Sequence, residues 1–277
     1  MASRIKTSVS LTLQENSPFS PLEAKDFSAG LEWAEHLRFD GVELIIKHPE
    51  KVDGAELIDR IQKHHLAVST IATGQMMGEG IVFCSGDGNV RKAAVDRIRK
   101  HIDLSVSLGS PNVTVGLARG KGSPDGGEKL RQRGYIAECL KPCADYAVKK
   151  NVRINLEPIN RYETFLLNSV ADTVSLIEET QTTPVVGVLY DTFHSNIEDA
   201  DMLETIEKYG GHFSHVHFAD SNRRVPGNGH IDFAEVVARL NRVGYSGFVS
   251  LECLNIPDGK FVMENAAKVN SFAHADV

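Results

Sequence analysis

The sequence predicts an α/β protein built as a single (β/α)8 TIM barrel over residues 1–277. Three observations carry this. Strand-like and helix-like stretches alternate eight times along the chain. The strand stretches are mostly continuous apolar runs, as in parallel strands covered by helices. No Gly-x-Gly-x-x-Gly turn follows a strand, which disfavours the rival fold, an open doubly wound sheet. A chain of 277 residues that is 42% hydrophobic is of the right size for one such barrel, and no domain boundary is visible.

The elements follow in order. Residues 9–13 read as the first strand, and Phe27, Leu31, Ala34 and Leu37 recur at helical spacing after it. Strand two is 41–46, with a short helix at 55–64. Strand three is 67–72. Val95, Ile98, Ile102 and Val106 mark a long helix that stops near Gly109. Strand four, 112–115, leads into a glycine-rich loop at 116–127 and a helix at 128–150. Strand five is 152–156, and its helix carries Val170, Val174 and Ile177. Strand six is 185–189, after Pro184. A helix at 201–209 ends at Gly210-Gly211, a normal stop signal. Strand seven is 213–218, followed by a helix with Phe233, Val236, Val237 and Leu240. Strand eight is 247–251, and the last helix is 259–272.

Composition narrows the function classes. Net charge is −7 and no Lys/Arg block runs along one helix, so nucleic acid is not an expected partner. No apolar run is long enough to span a bilayer and no signal-peptide pattern is seen, so a soluble cytoplasmic protein without a membrane partner is expected. The four cysteines lack the spacing of a secreted framework. Cys139 and Cys143, four apart on a helix, read as core residues rather than ligands.

In such barrels the active site lies at the C-terminal strand ends, and there this sequence places unusual residues. Strand five runs into Glu157-Pro158-Ile159-Asn160-Arg161-Tyr162-Glu163. Strand six ends toward Asp191, strand seven contains His215 and His217, and strand eight is followed by Glu252. A carboxylate at a buried strand end is costly alone. It reads either as an active-site group or as part of a salt-bridged strand end. Four consecutive strands that deliver Glu157, Asp191, His217 and Glu252 to one rim favour the site. Their mutual repulsion calls for a cation, and oxygen-rich ligation with one nitrogen suits Mn²⁺, Mg²⁺ or Co²⁺. His215 shares the parity of His217 but lies deeper, so it is assigned to the interior or to support of the site. Glu163, His194 and Arg223 each follow a rim residue closely. They read as groups that bind hydroxyls or an oxyanion, or as supports of the metal ligands. His36, His64, His65, His101, His212 and His230 read as surface or helix residues, and His48 as a loop residue within reach of the site.

These stretches resemble the ketose 3-epimerases. The carriers are 156–163 (Leu-Glu-Pro-Ile-Asn-Arg-Tyr-Glu), 191–198 (Asp-Thr-Phe-His-Ser-Asn-Ile-Glu) and 220–223 (Asp-Ser-Asn-Arg). That group comprises D-tagatose and D-psicose 3-epimerases, within the xylose-isomerase-like barrels, and the resemblance covers almost the whole chain. Residues 72–75 (Ala-Thr-Gly-Gln) and 116–120 (Gly-Leu-Ala-Arg-Gly) look more like the 5-keto-L-gluconate epimerase branch. The resemblance implies one divalent cation, Mn²⁺ first with Co²⁺ or Mg²⁺ as alternatives, on Glu157, Asp191, His217 and Glu252. It implies that Glu157 and Glu252 are also the acid/base pair, and that Glu163, His194 and Arg223 contact substrate. A homodimer or homotetramer is expected.

The implied reaction inverts the carbon beside the ketone of a keto sugar or keto sugar acid through an enediolate, one glutamate on each face. Arg119, in the loop after strand four, reads either as a solvated loop arginine, free or paired with Asp125 or Glu128, or as the grip on a substrate carboxylate. On the second reading 5-keto-L-gluconate or D-tagaturonate comes first and a ketohexose second, with Gln75 assisting at the same end. The alternative reaction is aldose–ketose isomerisation on the same barrel, of the hydroxypyruvate- or xylose-isomerase kind. An endonuclease IV-like phosphodiesterase would need more rim histidines and a basic face, and a non-catalytic sugar-binding barrel would have no use for the two glutamates.

Overall fold

The structure is a computed structural model that describes residues 4–274, so the outermost three residues at each end of the expected barrel lie outside the described residues. Eight strands form it: β1 (Lys6–Thr12), β2 (Gly41–Ile45), β3 (Ala67–Ala72), β4 (Asn112–Val115), β5 (Arg153–Leu156), β6 (Val186–Asp191), β7 (Phe213–Phe218) and β8 (Phe248–Leu251). Each is parallel to its sequence neighbours, and β8 closes onto β1 with Ser8 opposite Ser250. The helices are α1 (Phe27–His36), α2 (Gly54–Gln62), α3 (Gly88–Ser107), α4 (Gly126–Lys150), α5 (Val170–Thr180), α6 (Thr192–Glu198), α7 (Met202–Tyr209), α8 (Phe233–Arg242), α9 (Gly259–Asn265) and α10 (Ala267–Ala273).

Local chemistry accounts for these elements. Helix α8 starts where Asp232 accepts the backbone N–H groups of Ala234 and Glu235, and it buries Phe233, Val236, Val237 and Leu240. Val9 and Leu11 of β1 and Val42 and Leu44 of β2 join the apolar layer between barrel and helices. Cys139 and Cys143 lie in the same core. Among the described residues no helix is long and apolar enough to cross a membrane.

The barrel interior is polar. Asn155 on β5 donates to the hydroxyls of Thr70 and Thr114 at 3.3 and 3.2 Å, and Ser214 on β7 donates to its Oδ1 at 2.7 Å. Strands β3 and β5 are not neighbours, so these side chains cross the lumen. Such groups would be costly alone, and they satisfy one another. The sequence reading of continuously apolar strands therefore describes the faces toward the helices and not the lumen.

The main differences from the sequence expectation are at β1, β6, α6 and the last helix. Strand β1 begins at Lys6 rather than at 9. Strand β6 runs on to Asp191 instead of stopping at 189, because Tyr190 and Asp191 pair with Val216 and His217 in the ladder. Helix α6 was not expected. It starts at once because Asp191 Oδ1 caps it, accepting from Phe193 N at 2.7 Å and His194 N at 3.2 Å. The last helix divides at Ala266 into α9 and α10.

Candidate active site

The C-terminal ends of β5 to β8 converge on one point. Glu157 and Glu252 each extend the ladder one residue past their strands, bonding to Val115 O and Phe218 O. Asp191 ends β6 and His217 lies on β7. Ligand atoms of Glu157, Asp191, His217 and Glu252 lie within 4.8 Å of one another. His217 Nδ1 is 3.4 Å from Glu252 Oε2 and 3.8 Å from both Glu157 Oε1 and Asp191 Oδ2. Gly116 makes room for this, since a Cβ there would collide with Glu157 Oε2. Asp191 Oδ2 and His217 Nδ1 are buried without a hydrogen-bond partner. Two orphaned atoms among three carboxylates are a donor set that fits a hard divalent cation.

The charges respond to burial and to each other. Burial and the Glu252 charge push Glu157 well above the ordinary carboxylate value. Burial raises Glu252 as well, with His217 acting against it. Burial alone would raise Asp191, but His194 and His217 outweigh it and hold the carboxyl at about 2. Burial alone would lower His217, but Glu43 and Glu252 keep it well above its ordinary value.

Glu43 is the residue that sequence reasoning missed. It sits in the middle of β2, fully buried, with Oε2 3.0 Å from His217 Nε2 and 3.1 Å from His215 Nε2. Burial would raise its carboxyl, yet the two imidazoles hold it below the usual range. With Nε2–H donating to Glu43, Nδ1 is the ring nitrogen that faces the other three carboxylates. His215 lies one layer deeper and also meets Ser250 Oγ at 2.9 Å. A glutamate between Val42 and Leu44 was the available signal.

A second network flanks the cluster. Asn160 Oδ1 accepts Tyr162 N–H at 3.0 Å, and its Nδ2 donates to Glu163 Oε1 at 2.9 Å. That fixes the amide orientation, so Nδ2 also donates to His194 Nδ1 at 2.8 Å. His194 Nε2 then carries the proton and faces Glu157 and Asp191, each 3.8 Å away. Burial holds His194 down to about 4, against the pull of Asp191, so the ring is neutral. Arg223 bonds Glu163 and lies between Phe19 and Phe193, 4.6 and 4.8 Å from the ring centres.

A cavity of about 370 Å³ opens over the cluster. Glu157, His217, Glu252, Glu163, His194 and Arg223 line one side. Gln75, Glu15 and Lys47 line the other, which comes from the loops after β1, β2 and β3. Gln75 Nε2 donates to Glu15 O at 3.2 Å. Arg119 is elsewhere. It is not among the lining residues and is 0% exposed, so it is no solvated loop arginine. Its Nη2 donates to Leu167 O at 3.1 Å while Nε and Nη1 have no partner. Burial lowers it to about 10, opposed by the charge of Glu157. Asp125 instead caps α4, and Glu128 pairs with Arg131. His48 faces Glu50 and Glu79 and does not line the cavity. His101 lies on helix α3, in line with the helix reading, and is fully buried.

A closed eight-stranded parallel barrel with an oxygen-rich cluster at its C-terminal rim defines a class, the barrel enzymes that act through strand-end carboxylates. Residues 31–269 match the model of the xylose isomerase-like TIM barrel family, and the chain belongs to that family. It is 33% identical over 230 residues to L-ribulose 3-epimerase of Mesorhizobium japonicum, covering 83% of this chain and 75% of that one. It is 24% identical to 3-dehydro-D-guloside 4-epimerase of Escherichia coli, covering 86% and 90%. The crystal structure of D-allulose 3-epimerase from Methylomonas sp. superposes with a TM-score of 0.82 at 23% identity, over 98% and 97% of the two chains, a likeness of fold. With such relatives the chain is a sugar epimerase of the isomerase class.

Proposed function

We infer that this epimerase inverts the carbon next to the ketone of a keto sugar and depends on one divalent cation at Glu157, Asp191, His217 and Glu252. The observation that carries this is the pair of orphaned atoms, Asp191 Oδ2 and His217 Nδ1, set among three carboxylates. Such a cation, Mn²⁺ first by its ligand set with Co²⁺ or Mg²⁺ as alternatives, supplies Lewis acidity that eases removal of a proton beside a ketone.

The remaining work falls to the chain's own side chains. Glu157 follows β5 and Glu252 follows β8, and both approach His217 Nδ1. One carboxylate takes the proton from the reacting carbon, and the other, as a carboxylic acid, returns one to the opposite face. No electrons are gained or lost overall, and only the configuration changes. Burial raises both carboxyls, which makes each a stronger base than an exposed glutamate. Neutral His194 offers its Nε2–H to a developing oxyanion or a hydroxyl. Glu163 and Arg223 hold neighbouring hydroxyls, with the guanidinium fixed between two rings. Gln75 serves the far end from the opposite wall. A keto sugar acid such as 5-keto-L-gluconate has less support, because the guanidinium expected to grip its carboxylate is buried and is not among the residues that line the cavity.

Glu157→Gln and Glu252→Gln test the scheme. Each variant, reloaded with cation to the wild-type content, should lose at least about a thousandfold in kcat. A variant that turns over at near-wild-type rate removes that glutamate from the acid/base pair.

A further inference from the structure

The wall opposite the metal cluster carries an ion pair that the reaction does not use. Lys47 Nζ lies 2.8 and 3.0 Å from the two carboxylate oxygens of Glu15, and both residues line the cavity. The lysine side chain is only 16% exposed and the glutamate 53%. The pair is built into the scaffold. Gln14 Oε1 accepts the backbone N–H groups of Lys47 and His48, tying the loop after β1 to the loop after β2. Gln75 Nε2 and Thr12 Oγ1 both hold the Glu15 carbonyl. The cluster comes from β5 to β8 and the pair from the loops after β1 and β2, and both line one cavity, so a sugar that spans the cavity from the cluster reaches this wall.

The chemistry of that end follows from charge. Outside the cluster the cavity wall has two further cations, Lys47 and Arg223, and each is bonded to a carboxylate, Glu15 and Glu163. The far wall is therefore neutral overall. A hydroxyl finds a donor in the ammonium and an acceptor in the carboxylate. A carboxylate must displace Glu15 or meet its negative charge.

We propose that the Glu15–Lys47 pair is the subsite for the far end of the substrate, a neutral clamp that takes uncharged hydroxyls and rejects a terminal carboxylate. This rests on the reading that a keto sugar binds at the cluster, and it names the substrate class as neutral polyhydroxy ketones.

The test is titration calorimetry on the cation-loaded protein with a ketohexose and with the ketohexuronate that differs from it only at C6. Wild type should bind the ketohexose roughly tenfold tighter or more. Glu15→Gln leaves Lys47 free and should shift the ratio toward the acid by roughly tenfold, while Lys47→Met leaves Glu15 free and should shift it the other way. Opposite shifts from the two ends of one pair are a signature that general loosening of the loops would not produce. Preference of the wild type for the acid, shifts of the same sign, an unchanged ratio, or binding of neither ligand would each overturn the clamp. Turnover measured alongside keeps the two claims apart: selective binding without epimerisation upholds the clamp and sinks the epimerase reading.

Discussion

Glu43 touches no substrate-facing atom, yet it sets how His217 presents itself. Its carboxylate accepts from Nε2 and so leaves Nδ1 facing Glu157, Asp191 and Glu252. Glu43→Gln preserves size but can turn an N–H toward the same ring nitrogen, which weakens control of the tautomer. Cation affinity measured by calorimetry should fall on the order of 10- to 100-fold. An unchanged affinity would show that the cluster does not depend on this support. Asn160 works in the same manner on His194, through an amide whose orientation is fixed by Tyr162 and Glu163. In both cases a buried polar residue decides which imidazole nitrogen faces the reaction.

Among the elements, β6 and α6 show how the site and the scaffold share one residue. Asp191 Oδ1 starts the helix while Oδ2 faces the cluster. Helix α3 is tied to the rim differently. His101 lies fully buried on it, with Nε2 2.9 Å from Ile46 O and Nδ1 3.0 Å from Arg97 O. Burial lowers this ring from the ordinary 6.5 to about 4 despite those two carbonyls. The unfolded chain takes up the proton near pH 6.5, whereas the folded chain resists it down to about pH 4. Stability from this residue is therefore complete above pH 6.5 and is lost as pH falls toward 4. By pH 5 the loss is ~2 kcal/mol. Thermal unfolding at pH 7 and pH 5 should show wild type falling further than His101→Gln. Equal falls would mean that the buried ring does not resist protonation.

For the molecule as a whole, the sequence made the barrel and the cluster legible for a simple reason. Strand ends are local, so Glu157, Asp191, His217 and Glu252 could each be read from a few neighbouring residues. What escaped was set by distant contacts. Glu43 gains its meaning from histidines 172 and 174 residues away. Arg119 sits among glycines in a stretch that looks solvated, and only the packed barrel shows it buried beside the carbonyl of Leu167. Lys47 and Glu15 are 32 residues apart on separate loops and meet only when β1 and β2 lie side by side. The polar lumen was hidden because inward serines and threonines alternate with the apolar residues that face the helices.

The central claim is proton exchange at the carbon beside the ketone, carried by two carboxyls on opposite faces. It is tested most directly by incubating the cation-loaded protein with a ketohexose in D₂O and locating the deuterium by NMR. Label is expected at C3, in the inverted product and in returned substrate, with none at C1. Deuterium at C1 with aldose formed would contradict it and establish an aldose–ketose isomerase on the same barrel.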